Sequence, residues 1–247
     1  MSDDPVGNGP GLDRAWSDLR RNGYALIDEE AIGLPPKFRA NFHQTYFNDF
    51  TIRHDEGDWP VDRKRARDVI RYWWRDDDLK LREHDTITIT DRADIEGPRE
   101  HRRVEILRDH EARRMVSTFL RLVPADRRES EGTFGVNLFR TFTNVVTKPH
   151  HDNEPFVILY VLDRVGGGAE SYLYRPEDAP EEVPADGKPV GNPVLWHQLE
   201  PGQILIFDDK SFLHGATRLV PPPGQSARRD VVVCTVDDPR TYLATKA

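Results

Sequence analysis

Disulfides and membrane spans are the first features that this sequence lacks. It contains one cysteine in 247 residues, Cys234, so no disulfide can form within the chain. Cys234 ends the apolar run 231–234, where a buried and unreactive thiol is expected. No segment approaches the roughly 18 apolar residues of a membrane-spanning helix, and residues 1–10 lack the basic start and apolar stretch of a signal peptide. The sequence therefore predicts a cytoplasmic protein without membrane contact, and a disordered segment at residues 1–10.

An excess of basic residues is also absent. The chain has 35 Lys and Arg residues against 43 Asp and Glu residues, which gives a formal net charge of −8. A negative chain repels phosphate backbones, so nucleic acid is not an expected partner. Hydrophobic residues make up 37% and charged residues 32% of the chain, which is typical of a globular protein with a charged surface. We expect a small-molecule partner, and the composition leaves the oligomeric state open.

The first half of the sequence predicts helices with a few strands. Amphipathic spacing indicates a helix at 13–22 that stops at Gly23, and a second helix from Pro35-Pro36 to about residue 50. Every fourth residue of that second helix is aromatic, which predicts a buried stripe of Phe38, Phe42, Tyr46 and Phe50. The longest helix is expected at 104–122, and strands are expected at 24–27, 69–74 and 86–90.

From residue 133 onward the pattern changes to short strands. β-branched and aromatic segments separated by Gly, Pro and Asp turns lie at 133–145, 155–162, 169–174, 194–199, 203–208, 211–219 and 229–236. Helices followed by a run of strands favour a β-sandwich with helices against one face. No linker interrupts the chain, so we expect one domain over residues 11–247, with helical support at 11–130 and a β core at about 131–237.

Three side chains have the types and spacing of a metal site. In extended backbone, side chains at i and i+2 point the same way, so His150 and Asp152 can converge on one ion while His151 points to the other side. His214, which follows an apolar strand, would supply a third ligand from a distant strand. Two imidazoles and a carboxylate are the donor set of non-haem iron(II) sites with open coordination positions. Zinc hydrolases use similar ligands, so the ligand set alone leaves the metal open.

A pair of arginines opens the last predicted strand. An arginine inside an apolar barrel is unfavourable unless its charge meets an anion, and a guanidinium can bind a carboxylate through two parallel hydrogen bonds. Strand alternation favours Arg229 as the buried residue. Arg228 is then expected at the surface, where Asp230 is a candidate partner.

Five motifs follow one another at 150–159, 167–171, 207–209, 214–217 and 229–231. Together they resemble those of the 2-oxoglutarate/Fe(II)-dependent dioxygenases, in particular the bacterial amino-acid hydroxylase group (isoleucine dioxygenase-like). The resemblance covers roughly residues 130–237, and the order and spacing of the five motifs make it specific. It implies a double-stranded β-helix core, of the jelly-roll, cupin-like type, which is mainly β with flanking N-terminal helices.

The resemblance also implies roles for individual residues. It implies that His150, Asp152 and His214 bind Fe(II), and that Arg229 binds the distal carboxylate of 2-oxoglutarate, with Thr217 as a helper. The implied activity uses O2 to oxidise, and most simply to hydroxylate, an unactivated C–H bond, with succinate and CO2 as co-products. Related halogenases replace the carboxylate ligand with a small residue, so Asp152 predicts oxygenation rather than halogenation.

The substrate interpretation rests on residues around the predicted pocket. The resemblance implies that Asn137 and Arg140 face the pocket, and Glu154 lies two residues beyond Asp152. An acidic partner for an ammonium group and a basic partner for a carboxylate would suit a free amino acid or a derivative of one. The sequence departs from the family at Asn153-Glu154, where a glycine usually follows the aspartate, and at Ala169, which interrupts a Gly-Gly-Glu-Ser run.

Two other functions remain open at this point. One is a cupin-type metal-dependent isomerase or hydrolase that does not use 2-oxoglutarate, in which Arg229 would have no anion to bind. The other is a non-catalytic jelly-roll module that senses a metabolite, which would not require open coordination sites on a metal.

Overall fold

The computed structural model describes residues 10–54, 63–84, 88–89, 99–100, 103–142, 148–184 and 188–237. Its α-helices are α1 (Pro10–Asn22), α2 (Phe38–Tyr46) and α3 (His110–Leu122), and short 3-10 helices lie at Glu29–Ile32, Ile106–Arg108, Ala125–Arg127 and Pro176–Asp178. The strands are β1 (Tyr24–Asp28), β2 (Lys64–Arg75), β3 (Asp78–Glu83), β4 (Thr88–Ile89), β5 (Arg99–Glu100), β6 (Glu131–Thr141), β7 (Phe156–Val165), β8 (Gly167–Gly168), β9 (Ser171–Tyr174), β10 (Leu195–His197), β11 (Gln203–Phe207), β12 (Leu213–Ala216), β13 (Leu219–Val220) and β14 (Arg228–Asp237).

Two sheets form the predicted sandwich. The larger sheet has the strand order β1-β11-β7-β14-β6-β2-β3, and the smaller has the order β10-β9-β12. Every strand pair within these two sheets is antiparallel. This mainly β, jelly-roll-like arrangement confirms the predicted fold class.

Side-chain alternation divides the larger sheet into two faces. One face packs against the helices, and its buried cluster includes Phe38, Phe119 and Tyr160. The other face packs against the smaller sheet through a separate cluster that includes Phe207 and Leu173. We call these the helix face and the inner face. Each strand residue near the site can be assigned to one of them by its position.

Local sequence signals explain where the helices begin and end. Asp109 caps α3, because its carboxylate accepts hydrogen bonds from the amides of Glu111 and Ala112. At the end of α1, Gly23 adopts a φ of 80° and donates its amide to the carbonyl of Leu19. No helix in the described part of the chain has the length and apolar character required to cross a membrane.

Several predicted boundaries were wrong. Helix α2 ends at Tyr46, where a turn centred on Asn48 begins, and Phe50 is 74% exposed rather than part of the buried stripe. The helix predicted at 104–122 begins only after its cap at Asp109. Within the predicted helical support at 11–130, the strands expected at 24–27 and 69–74 are present as β1 and the longer β2, and the unpredicted β3 joins them in the larger sheet. Helix α1 begins at Pro10, and the rest of the segment predicted to be disordered, residues 1–9, lies outside the described residues.

Candidate metal centre

His150, Asp152 and His214 converge at one edge of the smaller sheet. His214 lies in β12, and His150 forms an antiparallel bridge with it, so that each main-chain N–H donates to the carbonyl of the other, at 3.1 and 2.9 Å. The two imidazole rings therefore lie side by side, with centroids 4.4 Å apart. Asp152 follows two residues after His150, and its carboxylate reaches the same side as the two rings.

The donor atoms of these three residues lie within 4.8 Å of one another. The Nε2 atom of His150 is 3.9 Å from one carboxylate oxygen of Asp152, and the Nε2 atom of His214 is 3.5 Å from the other. The Nδ1 atom of His150 lies 3.0 Å from the carbonyl oxygen of Lys148, so Nδ1 carries a proton and the lone pair is on Nε2. The geometry fits one ion held by two Nε2 atoms and a carboxylate oxygen.

Asp209 contacts the metal site but was not among the predicted site residues. Its buried carboxylate lies 2.9 Å from the Nδ1 atom of His214. Burial alone would lower the pKa of His214, but the carboxylates of Asp152 and Asp209 outweigh it and raise that pKa to about 9. His151 turns away from the site, and its Nδ1 donates to the main-chain carbonyl of Asp209.

Arg229 is a buried cation on the inner face of β14. Its side chain is 5% exposed and donates to the hydroxyl of Ser171 in β9, at 3.3 Å. No carboxylate among the described residues pairs with it. Burial and the nearby charge of Arg164 lower the pKa of Arg229 to about 10. Arg228 pairs instead with the carboxylate of Asp163 outside this pocket.

Arg164 adds a second positive charge beside Arg229. Its guanidinium donates to the carbonyls of Leu199, Gly166 and Gly168 at 3.3, 2.9 and 3.0 Å. These carbonyls orient the cation without bringing a full negative charge. The carboxylate of Glu200, 3.7 Å from the Nη1 atom of Arg164, is more than half exposed and therefore offsets the charge of Arg164 only in part. The two arginines give this end of the sandwich a positive potential that fits a dicarboxylate such as 2-oxoglutarate.

The predicted helper Thr217 is engaged elsewhere. Its hydroxyl donates to the carboxylate of Glu170, and the amide of Glu170 donates back to the same hydroxyl oxygen at 3.0 Å. Its single hydroxyl proton is therefore not directed at an anion beside Arg229. Ser171 has the hydroxyl that contacts Arg229. Strand alternation could have found it, since Ser171 and the inward-facing Leu173 are two residues apart.

The predicted pocket residues divide between the two faces of the larger sheet. Asn137 is two residues from Phe139, which packs on the inner face, so its predicted contact with substrate stays a prediction. Arg140 lies on the helix face, where it donates to the carbonyl of Phe47 at 2.9 Å and binds Asp230. The prediction that Arg140 faces the pocket was wrong, because positions 137 and 140 are three apart and must point to opposite faces. Glu154 is half-buried, and its predicted role with substrate also stays a prediction.

A second group of potential metal donors lies on the helix face. The Nε2 atom of His43 is 2.6 Å from Asp230 and 3.9 Å from Asp163. Arg140 binds both oxygens of Asp230, at 2.8 and 2.7 Å, and Arg228 binds Asp163. Two guanidinium charges balance the two carboxylates, so the group has no negative charge left to attract a cation. It is an ion network that connects α2 with β14.

The donor set and its surroundings can be compared with what iron and 2-oxoglutarate require. Two imidazoles and one carboxylate leave three octahedral positions open, which is the pattern of non-haem iron(II) sites that bind a cosubstrate and O2. Arg229 gives a buried cation that lacks an anionic partner among the described residues, and such a cation is costly unless a ligand supplies that partner. Both features fit the groups that the sequence predicted.

Comparison with known proteins places these features in a family. A family model described as 2OG-Fe dioxygenase matches residues 36–235, which contain all the ligands described above. No curated protein sequence matches the chain.

Solved structures that share the fold include the following three. A bsmA homologue from Methylobium petroleophilum PM1 is 17% identical with a TM-score of 0.71, covering 94% of this chain and 95% of its own. IDO from Bacillus thuringiensis is 15% identical with a TM-score of 0.64, covering 92% and 98%. The Fe(II)/α-ketoglutarate-dependent dioxygenase TqaL is 10% identical with a TM-score of 0.61, covering 94% and 90%. At these identities, the likeness establishes the fold alone.

Proposed function

Since this chain belongs to the family of 2OG-Fe dioxygenases, we propose that it oxidises, and most simply hydroxylates, an unactivated C–H bond of a free amino acid or amino-acid derivative. Fe(II), 2-oxoglutarate and O2 are the groups that the family uses, and succinate and CO2 are the expected co-products. The observation that carries the proposal is the convergence of His150, Asp152 and His214 near a sandwich interior that contains the buried Arg229. Family membership leaves the isomerase, hydrolase and sensor alternatives without support.

Each residue of the site has a defined task in this proposal. His150, Asp152 and His214 would hold the iron, which when bound supplies the activation of O2 and the oxidation of the C–H bond. Arg229 and Ser171 would hold the far carboxylate of 2-oxoglutarate, which fixes the orientation of the cosubstrate. Retention of Asp152 as a carboxylate supports oxygenation rather than halogenation.

A row of arginines, two on β2 and one immediately before it, supports a substrate that carries a carboxylate. Arg65 and Arg67 pair across the strands with Phe139 and Asn137, and directly opposed side chains share a face, so both arginines belong to the inner face. Arg63 lies two residues earlier, and its guanidinium carbon is 5.1 Å from the centre of the Phe139 ring. All three arginines are half-buried. We assign to this row the role that the sequence analysis gave to Arg140, which is to bind the substrate's carboxylate.

Glu154 is the proposed partner of the substrate's amino group. It follows Asn153, whose φ of 65° turns the chain immediately after Asp152. A carboxylate at this position, together with the arginines of β2, would bind the two charged groups of an amino acid at opposite ends of the pocket. Substrates without an amino group would lose the first contact, and substrates without a carboxylate would lose the second.

The test is a succinate-release screen of the Fe(II)-loaded protein across free amino acids, N-acylated amino acids, amino-acid amides and uncharged hydrocarbons. We expect release only with compounds that carry a carboxylate. On the best substrate, Arg65→Met and Arg67→Met should raise KM at least tenfold. Arg71→Met, an exposed position on the same face of β2, should leave KM within twofold. Turnover of the amides at the same rate as the acids would contradict the substrate assignment.

A further inference from the structure

We propose that Asp209 is a positioning residue of the iron site, which fixes both His214 and the turn that carries the other two ligands. The proposal deepens the function proposed above and rests on its assignment of the metal ligands. Asp209 lies between β11 and β12 and is fully buried. Its contacts reach both halves of the site.

The first contact orients His214. The Nδ1 atom of His214 and the Oδ1 atom of Asp209 are 2.9 Å apart. Both atoms are buried, and neither has a hydrogen bond of regular geometry to any residue in the described part of the chain, so their close approach is a charge contact that each atom makes with the other alone. A carboxylate oxygen accepts and does not donate, so the pair favours the imidazole tautomer with its proton on Nδ1. The lone pair is then on Nε2, the atom that faces Asp152.

The second and third contacts hold the segment that carries His150 and Asp152. The Oδ2 atom of Asp209 accepts a hydrogen bond from the amide of Glu154 at 3.2 Å. The main-chain carbonyl of Asp209 accepts the Nδ1 proton of His151. These two donors flank Asn153, a non-glycine residue with a φ of 65°. Such a backbone conformation persists when its surroundings fix it, and Asp209 supplies two of the fixing contacts.

Both carboxylate oxygens are therefore in use on opposite sides of the iron site. An asparagine at this position has only one side-chain oxygen, so it can accept from His214 or from Glu154 but not from both. Its amino group would face the remaining donor. Loss of either contact should loosen one of the two segments on which the metal ligands lie. Residues that orient metal-binding histidines typically change metal affinity about 10- to 100-fold when they are replaced.

The experiment measures metal binding alone, without cosubstrate or turnover. Mn(II), which binds to similar oxygen and nitrogen ligands and is visible by electron paramagnetic resonance, is titrated into the metal-free wild type, Asp209→Asn and Asp209→Ala. We expect the Kd to rise about 10-fold or more in Asp209→Asn and further in Asp209→Ala. The matched control is Asp208→Asn, because Asp208 is the adjacent residue and its carboxylate pairs with Arg127 away from the metal ligands. This control should bind Mn(II) as the wild type does.

A spectroscopic measurement on the wild type keeps the proposal testable if a variant does not fold. In the protein loaded with diamagnetic Zn(II), nitrogen NMR should show a protonated Nδ1 of His214 that exchanges slowly with solvent. The amide of Glu154 should also exchange slowly, and both should exchange faster in Asp209→Asn.

Two outcomes would overturn the role of Asp209: an unprotonated Nδ1 in the wild type, or an unchanged Mn(II) Kd in folded Asp209 variants. Neither outcome concerns 2-oxoglutarate. Failure of the proposed function would appear separately, as a wild type that binds the metal tightly but releases no succinate.

Discussion

Replacement of Arg229 by methionine should weaken 2-oxoglutarate binding without destabilising the ligand-free protein. Burial and the charge of Arg164 lower the pKa of Arg229 from 12.5 to about 10. At about 1.4 kcal/mol per pH unit, the charged form is disfavoured by about 3 kcal/mol in the ligand-free protein. Below pH 10 this arginine is charged in both the folded and the unfolded chain, so the cost does not vary across the neutral range.

A carboxylate bound to Arg229 would offset this cost. Truncation of one partner of a buried, hydrogen-bonded charge pair typically costs about 2–5 kcal/mol, so removal of the guanidinium should lower 2-oxoglutarate affinity by about 30-fold or more. Methionine at this position removes the buried charge and retains a flexible apolar side chain in place of the arginine's aliphatic part. We therefore expect the unfolding temperature of the ligand-free variant to equal or exceed that of the wild type.

The assay is an anaerobic titration of Fe(II)-loaded protein with 2-oxoglutarate, followed by its visible charge-transfer band, with calorimetry of the ligand-free protein alongside. Arg228→Met is the matched control, because Arg228 is the neighbouring arginine and pairs with Asp163 outside the pocket. Its 2-oxoglutarate Kd should remain within twofold of the wild type. The reasoning is refuted if Arg229→Met binds 2-oxoglutarate normally, or if both variants lose affinity equally.

Three further predictions concern residues whose roles the structure separates. Arg140→Met should destabilise the fold by about 3–5 kcal/mol in denaturant unfolding, because it leaves the buried carboxylate of Asp230 with fewer partners. The KM for substrate, measured by steady-state kinetics, should not change. Ser171→Ala should raise the 2-oxoglutarate Kd several-fold, because it removes the hydroxyl that contacts Arg229. Thr217→Val should leave that Kd unchanged and lower the free energy of unfolding by about 1–3 kcal/mol. The reverse result would restore Thr217 as the cosubstrate ligand. Gly215→Ala should destabilise by about 1–3 kcal/mol in thermal unfolding, since its new methyl group would overlap a buried tyrosine hydroxyl, and an unchanged midpoint would show that the tyrosine can move.

The convergence of His150 with Asp152 and the burial of Arg229 could be predicted because strand alternation decides both. His150 and Asp152 are two residues apart in extended backbone, so they converge, and the same alternation separates the buried Arg229 from Arg228. The error at Arg140 came from neglecting that rule: positions 137 and 140 cannot share a face. The prediction that Phe50 is buried was wrong for another reason, since a four-residue repeat cannot reveal that the helix has already ended at Tyr46.

Other features depend on contacts between distant segments, which a single sequence does not record. Asp209 is one of two adjacent aspartates after β11, and no local pattern indicates that Asp209 contacts His214 while Asp208 contacts Arg127. Thr217 was the predicted hydroxyl beside Arg229, but it donates to Glu170, a contact that the sequence does not reveal, and Ser171 contacts Arg229 instead. Strand β3 was missed because its alternating leucines and charged residues are also typical of a solvated segment.

Strand β1 covers the edge of β11 and so protects it from pairing with other chains. Tyr24–Asp28 pair residue by residue with Gln203–Phe207, the strand that leads directly into Asp208 and Asp209. Without β1, an apolar strand would become the open rim of the larger sheet, with unpaired backbone groups available to other copies of the chain. Variants truncated from the N-terminus so that β1 is removed should therefore self-associate through β11. The segment next to that edge, which carries Asp208 and Asp209, should lose its order before the interior of the sandwich does.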